Sequence, residues 1–253
     1  MKITLLGTGT SQGVPVIACN CAVCKSTNIK DKRLRSSILI ETDNNILVID
    51  AGPDFRQQML RENVSRIDGI IITHEHKDHI GGLDDVRAFN YFQNEPVNVY
   101  ASENVQEVLR SDYFYAFEKV KYPGVPEINL HTIENFPFQI NNDLITPIEV
   151  IHHRLKVFGF RIKDFTYITD ANYISDIELE KIKGSKVVII NALRRKLHLS
   201  HFNLEKAIEV LNKIKPEQAY LTHISHQLGL HEEVEKELPP YIKLAFDGLK
   251  ISA

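Results

Sequence analysis

Thr73-His74-Glu75-His76-Lys77-Asp78-His79-Ile80-Gly81-Gly82 is the stretch on which the reading of this chain turns. Three imidazoles and the Asp78 carboxylate fall within the six residues from His74 to His79. These side chains are the usual ligands of zinc, manganese and iron. An apolar run, 69–72, precedes them. In a tight loop after a strand, His74 and His76 can point to one side and Asp78 and His79 to the other. The paired glycines let the backbone pass close to a neighbour and open the next helix. A merely solvated loop would not concentrate these residue types between an apolar strand and Gly-Gly.

Outward from this stretch, short runs rich in Ile and Val read as strands at 3–6, 37–40, 46–49, 69–72, 97–100, 145–150, 158–162, 166–168, 187–190 and 219–221. Amphipathic stretches at 54–61, 84–92, 103–109, 176–182, 204–214 and 232–238 read as helices, the first opening on an N-cap-type Asp54 after Pro53. Runs 37–40 with 46–49, and 158–162 with 166–168, are separated by short polar turns and predict hairpins. Two mixed sheets with helices outside would satisfy the pattern. Repeats, low-complexity tracts and Pro/Ser-rich linkers are missing from it, so one continuous domain over 1–253 is expected. Candidate site residues recur just past strand ends: Asp50, His74, Asp170 and His223. Loops held by rigid strands are where sheet-based enzymes build their sites.

Bulk properties narrow the classes. The 253 residues carry a net charge of −3, with 43% hydrophobic and 25% charged residues. The acidic balance argues against a long nucleic acid as the main partner. No apolar run approaches the length of a membrane span or a signal-peptide core, so a cytoplasmic protein with no membrane partner is expected. In that reducing compartment Cys19, Cys21 and Cys24, an odd set within six residues, suit metal ligation better than disulfides. A fourth ligand for a structural zinc is available in His226, three residues beyond His223.

His74-x-His76-x-Asp78-His79 resembles the signature of the metallo-β-lactamase superfamily. The resemblance implies a four-layer αββα sandwich, of mixed α/β and α+β character, with a dinuclear site at one edge of the sheets. It implies that His74 and His76 bind one divalent ion, Mn or Zn, together with a later histidine. Asp78 and His79 then bind a second with His223, and Asp170 bridges the two. The later histidine lies in the doublet His152-His153, and the resemblance of His153-x4-Phe158-Gly159 to one branch of the superfamily favours His153. His198 and His201 both precede a helix. The pattern His201-x-Asn203-Leu204 resembles the phosphodiesterase branch and favours His201 as the acid that protonates a leaving group, working with Asp78 in the catalytic set.

Further stretches extend the resemblance almost end to end. They are Gly7-Thr8-Gly9, Ser11-Gln12-Gly13-Val14-Pro15, the cysteine cluster, Leu221 to Gln227 and Phe246-Asp247-Gly248. Together they are similar to the phosphoribosyl cyclic phosphate phosphodiesterase family. That likeness implies hydrolysis of a cyclic phosphodiester on ribose to a monoester, by a hydroxide held between the two ions with a histidine general acid. The implied partner is a small phosphodiester, and a homodimer is compatible with it. A ribonuclease Z-like nuclease and a lactone or thioester hydrolase are alternatives on the same core. Asp50 is expected to support a histidine ligand from behind. The run 92–144 carries no transferable motif. Lys30 to Arg35 reads as a solvated basic loop, Arg194-Arg195-Lys196 as a candidate phosphate contact, and Tyr113, Tyr115 and Phe117 as core or lid.

Overall fold

The structure is a computed structural model that describes residues 1–120 and 122–253. Its strands form two sheets. The first runs in the order Lys250–Ser252, Lys2–Gly7, Ser37–Glu41, Ile46–Ile49, Gly69–Ile71, Val97–Ala101, Ile128–Thr132. Its first three pairings are antiparallel and the rest parallel. The second runs Tyr173–Ile174, Asp143–His152, Leu155–Ile162, Phe165–Ile168, Val187–Asn191, Gln218–Thr222, Ile242–Leu244, with Phe138–Ile140 added to Asp143–His152. It too passes from antiparallel to parallel, at Phe165–Ile168 against Val187–Asn191. Both expected hairpins are present.

Side chains alternate faces along a strand, and this divides the core into layers. Leu5, Ile38, Ile40, Leu47 and Ile49 meet Phe160, Phe165, Tyr167 and Ile189 between the sheets. Their neighbours Leu6, Val48, Ile70 and Ile72 face outward under helices Phe55–Glu62, Arg87–Gln93 and Glu103–Asp112. On the far side Val188, Ile190 and Leu221 face outward under Asp176–Ile182, Leu204–Ile214 and His231–Glu235. The result is the metallo-β-lactamase fold, a helix–sheet–sheet–helix sandwich. Parallel strands covered on both faces should read as continuous apolar runs. Val187–Asn191, buried at every position, does.

Some expectations need correction. Asp54 does not cap its helix; its carboxylate instead accepts from the Arg35 backbone N–H at 2.8 Å and from the Arg35 guanidinium at 2.9 Å. The stretch 84–92 divides into a short 3₁₀ turn, Leu83–Val86, and the helix Arg87–Gln93. The basic run is not a solvated loop. Arg33 is buried, donating to Thr8 Oγ1 (2.8 Å) and the Ala245 carbonyl (2.6 Å). Five strands went unread: Ile128–Thr132, Phe138–Ile140, Tyr173–Ile174, Ile242–Leu244 and Lys250–Ser252. They have five residues or fewer, and each lies at or next to a sheet edge, where the apolar signal is weakest. Among the described residues no helix is long and apolar enough to cross a membrane.

Paired glycines set the position of the 73–82 loop. A Cβ on Gly82 would lie 2.0 Å from the Gly52 carbonyl oxygen, and one on Gly52 would lie 1.9 Å from that of Asp78. Backbone faces backbone at both positions, so neither contact can be relieved by a side-chain rotation. Gly82→Ala and Gly52→Ala should each cost about 1–3 kcal/mol, as overpacking does. Thermal unfolding should show a midpoint lower by several degrees; an unchanged midpoint would mean that the loop yields freely.

Candidate metal centre

Three of the residues that shape the centre occupy left-handed backbone at or just beyond strand ends: Asp50 (φ +64°), Asp170 (φ +53°) and His223 (φ +53°). Asp and His tolerate this region better than most residues, but it still costs free energy that the surroundings must offset. The conformation turns each side chain off its strand axis into the edge shared by the two sheets.

Asp50 is fully buried. Its carboxylate accepts from Thr73 N (2.8 Å), Thr73 Oγ1 (2.9 Å) and His79 Nδ1 (2.6 Å). These bonds fix tautomers. With its hydroxyl proton given to Asp50, Thr73 Oγ1 accepts from His74 Nδ1 at 2.9 Å, leaving the lone pair of His74 on Nε2. The His79 lone pair is likewise on Nε2. His152 donates from Nδ1 to the Ser200 carbonyl at 2.8 Å, again freeing Nε2. At His223, Nδ1 lies 3.2 Å from Ser36 Oγ, whose own proton goes to the Gly9 carbonyl. Orientation of a ring by a partner on its other nitrogen is the usual arrangement behind metal-ligating histidines.

The freed atoms converge. Donor atoms of His74, His76 and His152 lie mutually within 4.8 Å, as do those of Asp78, His79 and His223, and of His74, His79 and Asp170. His74 Nε2 and His76 Nδ1 face each other at 3.0 Å. His79 Nε2 is buried with no hydrogen-bond partner, 3.1 Å from Asp78 Oδ2 and 3.2 Å from Asp170 Oδ2. Burial holds His74 well below its ordinary pKa, with His79 adding to the effect, so its imidazole is neutral and able to ligate. Burial likewise pushes His223 down to about 3, against the pull of Asp170. At His79 burial also disfavours the charge, but Asp50, Asp170 and Asp78 together hold the pKa well above the usual value. The pocket therefore combines neutral nitrogen lone pairs with a field that demands positive charge. An orphaned buried nitrogen aimed between two carboxylates is what a divalent ion would satisfy.

His153 takes no part. It sits in the turn after Asp143–His152 at φ +57°, exposed, with its backbone N–H on Asn172 Oδ1. The expectation of His153 as the later ligand is corrected to His152, the last residue of its strand, whose ring centroid is 5.1 Å from that of His76 and 5.6 Å from that of His74. Strand alternation decides it, since adjacent residues point to opposite faces. His201 is at the rim, with Nε2 2.8 Å from Asp170 Oδ1. The suggested phosphate contacts fare less well. Arg194 donates to Gln227 Oε1 and the Leu197 carbonyl, and Arg195 pairs bidentately with Glu237 (2.7 and 2.8 Å). Tyr113 and Tyr115 brace the loop, donating to the Ile80 carbonyl (2.7 Å) and to Asp84 (2.6 Å). Thr73, Ser36 and Ser200 were not singled out from the sequence. Only Thr73, adjacent to the motif, offered a signal. A cavity of about 600 Å³ between helices Phe55–Glu62 and Arg87–Gln93 has no lining residue in common with this centre.

Cys19, Cys21 and Cys24 place their sulfurs 3.2, 3.4 and 3.6 Å from His226 Nδ1. The Cys24 and Val16 amides point at the sulfurs of Cys21 and Cys24, both at 3.4 Å. Hydrogen bonding from the Cys24 amide, chiefly, and from His226 draws the Cys21 thiol down to about 6. Three sulfurs and one imidazole nitrogen form the donor set of a tetrahedral zinc.

Comparison with known proteins agrees with this geometry. The beta-lactamase superfamily domain matches residues 44–224. A crystal structure described as a new diphosphatase from the PhnP family superposes with a TM-score of 0.93 at 38% identity, covering 100% of this chain and 97% of that one. Human tRNase Z, short form, shares the fold at a TM-score of 0.71 and 19% identity, with 100% and 99% covered. An octanoyltransferase from Porphyromonas gingivalis is 40% identical over 99% of this chain, but the chain spans only 51% of that protein. A ribonuclease Z from Nostoc is 29% identical over 65% of the chain and 47% of its own length. The fold and its centre define a metal-dependent hydrolase. The chain belongs to the metallo-β-lactamase superfamily.

His152→Ala should lower the metal content of the purified protein, whereas His153→Ala should leave it unchanged. Asp50→Asn, which removes the charge behind His79, should weaken metal affinity about 10–100-fold. Elemental analysis and metal titration check all three, and metal loss in His153→Ala would return that residue to the ligand set.

Proposed function

We propose that this protein is a phosphodiesterase acting on a small cyclic phosphodiester of the ribose 1,2-phosphate type, with His201 as general acid. The observation that carries the reading is His201 itself. Its Nε2 stands at the rim of the donor cluster, 2.8 Å from Asp170, on a side chain that is 11% exposed. It is therefore next to the centre and still within reach of a bound molecule.

In this reading His74, His76 and His152 would hold one divalent ion, Mn or Zn, and Asp78, His79 and His223 a second, with Asp170 between them. Such ions supply Lewis-acid polarisation of a phosphoryl oxygen and a lowered pKa for water. The chain's residues do the rest. Asp78 and Asp170 would offset the positive charge of the ions. His201 gives the proton on Nε2 to the departing ribose oxygen, a step worth about 10²–10⁴ in rate. Cys19, Cys21, Cys24 and His226 would hold a structural zinc, tying the N-terminal loop to the segment after His223.

The octanoyltransferase relative is about twice as long, and its acyl chemistry has little to work with here. All three cysteines converge on His226, which leaves no thiol at the His/Asp cluster to carry an acyl group. A second reading, hydrolysis of a diphosphate bond, is favoured by the likeness to the PhnP-family diphosphatase. Both leave the site chemistry unchanged and differ in what departs.

Metal-loaded protein should be assayed with Mn²⁺ or Zn²⁺ against a ribose cyclic phosphate, a diphosphate-bridged dinucleotide, a precursor tRNA and a lactone. Preferred turnover of the cyclic phosphate, lost in Asp78→Ala and reduced about 10²–10⁴-fold in His201→Ala, is expected. Preference for the dinucleotide would move the assignment to the second reading. Turnover of the lactone alone would discard phosphoester chemistry.

A further inference from the structure

Arg194 has no part in the proposed chemistry, yet all three nitrogens of its guanidinium are engaged. Nη2 donates to the Leu197 carbonyl at 2.8 Å, Nε to the Lys196 carbonyl at 3.3 Å and Nη1 to Gln227 Oε1 at 3.0 Å. Both carbonyls lie on one limb of the loop that carries His201. A planar guanidinium serves several acceptors at once in a fixed fork, whereas a lysine ammonium is a point charge on a flexible stem.

The two limbs of this loop are held differently. The limb that follows His201 is anchored by burial. Phe202 packs in the outer core, its N–H donates to the Ala171 carbonyl at 2.6 Å, and its carbonyl accepts from Leu193 N at 3.0 Å. Asn203 Nδ2 donates to the Arg195 carbonyl at 3.0 Å and closes the neck. On the other limb Leu197 and Leu199 are 81% and 70% exposed, so apolar burial does not hold it. Gln227 is a fixed post for it. The Gln227 N–H donates to Ser225 Oγ at 3.2 Å, and the N–H of buried Ser225 donates to the Leu193 carbonyl at 3.0 Å. From the limb, contact reaches His201 by two routes. The His198 ring centroid is 5.1 Å from that of His201, and Ser200 Oγ is 3.0 Å from His201 Nδ1.

We propose that Arg194 is a positioning residue whose fork clamps the 196–197 limb to Gln227 and so holds the His201 side chain at the rim of the His/Asp centre. A phosphate contact at this position would need the charge of the side chain; a clamp needs its fork. The clamp follows from the hydrogen bonds, and its catalytic consequence rests on the proposed general-acid role of His201.

Backbone ¹⁵N relaxation of the zinc-loaded protein reads the clamp without turnover. In Arg194→Ala and Gln227→Ala the order parameters should fall across 196–200 and stay unchanged at Ala192 and Phe202, with metal content at the unsubstituted level. Turnover should then be compared for two phosphodiesters, one losing p-nitrophenolate and one losing an alkoxide, since only the alkoxide needs a strong proton donor. Arg194→Ala should lower kcat for the alkoxide ester about 10–100-fold more than for the nitrophenyl ester, with KM little changed, as a misplaced catalytic group does. Arg194→Lys, which keeps the charge and loses the fork, should behave like Arg194→Ala. Full activity in Arg194→Lys, with KM raised on both esters in Arg194→Ala, would make this residue a phosphate contact and overturn the clamp. Unchanged order parameters in Arg194→Ala would overturn it as well. A loosened limb with equal losses on both esters would overturn the positioning role. His201→Ala as active as the unsubstituted protein on the alkoxide ester would overturn the general-acid reading and the catalytic consequence together, and the relaxation data alone would then decide the clamp.

Discussion

The buried carboxylate of Asp50 is the constraint from which the centre is built. It has no solvent contact and accepts three hydrogen bonds, two from Thr73 and one from His79. A charge in that position is tolerated only if its partners are fixed, because losing one leaves an uncompensated group in a low-dielectric interior. Asp50 thereby joins the end of one strand to the loop that follows the next strand of the chain, and it determines which nitrogen of His79, and through Thr73 of His74, is presented. Strand pairing brings the two segments together: Ile46–Ile49 runs parallel to Gly69–Ile71, and the Asp50 amide extends the ladder to the Ile71 carbonyl.

The second sheet repeats the device. Asp170 follows Phe165–Ile168 and His223 follows Gln218–Thr222, and the two strands flank Val187–Asn191 in parallel. Parallel neighbours end on the same side, so their trailing loops share one edge. Left-handed backbone at Asp50, Asp170 and His223 then directs the side chains inward. At this edge left-handed backbone, the close Gly52 and Gly82 contacts and the buried carboxylates of Asp50 and Asp170 occur together, against the apolar layering between and outside the sheets. Local rules are expected to be broken where function demands it and kept elsewhere.

Much of this was legible in the residues. The His-x-His-x-Asp-His loop, its leading strand and its trailing glycines identified the fold because each has a distinct composition. Asp170 and His223 were readable as polar residues directly past Ile/Val-rich runs. The cysteines could be matched with His226 because it stands three residues beyond His223 and a tetrahedral zinc needs a fourth donor. The doublet at 152–153 could not be resolved this way. It depends on where the strand Asp143–His152 ends, and a one-residue difference reverses the face. Leu155–Ile162 pairs with it as far as His152 opposite Leu155, which leaves His153 to make the turn. Ser36 and Ser200 were invisible for another reason. They act through backbone or hydroxyl contacts with residues distant in the chain, and serine in a loop has no pattern to betray it. The arginines at 194 and 195 suggested a phosphate contact because positive charge lies close in sequence to His198 and His201. In the fold their guanidiniums are committed to Gln227 and Glu237.

That commitment bears on how the centre attracts its substrate. Arg194 and Arg195 are engaged elsewhere and Arg33 is buried in the N-terminal network, so these three guanidiniums are committed away from the His/Asp cluster. In the proposed reading, attraction for a phosphoryl group would draw on whatever satisfies Asp50, Asp78 and Asp170. Asp50, Asp78 and Asp170 outnumber His79, whose charged form they favour, while His74 and His223 are held neutral, so the hole is net negative and an anionic substrate would be repelled by it. Only cations held by those same ligands reverse the sign. In that reading substrate binding, charge balance of the buried aspartates and stability of the strained strand ends would depend on the same ions, so metal binding and folding are expected to be coupled in this chain.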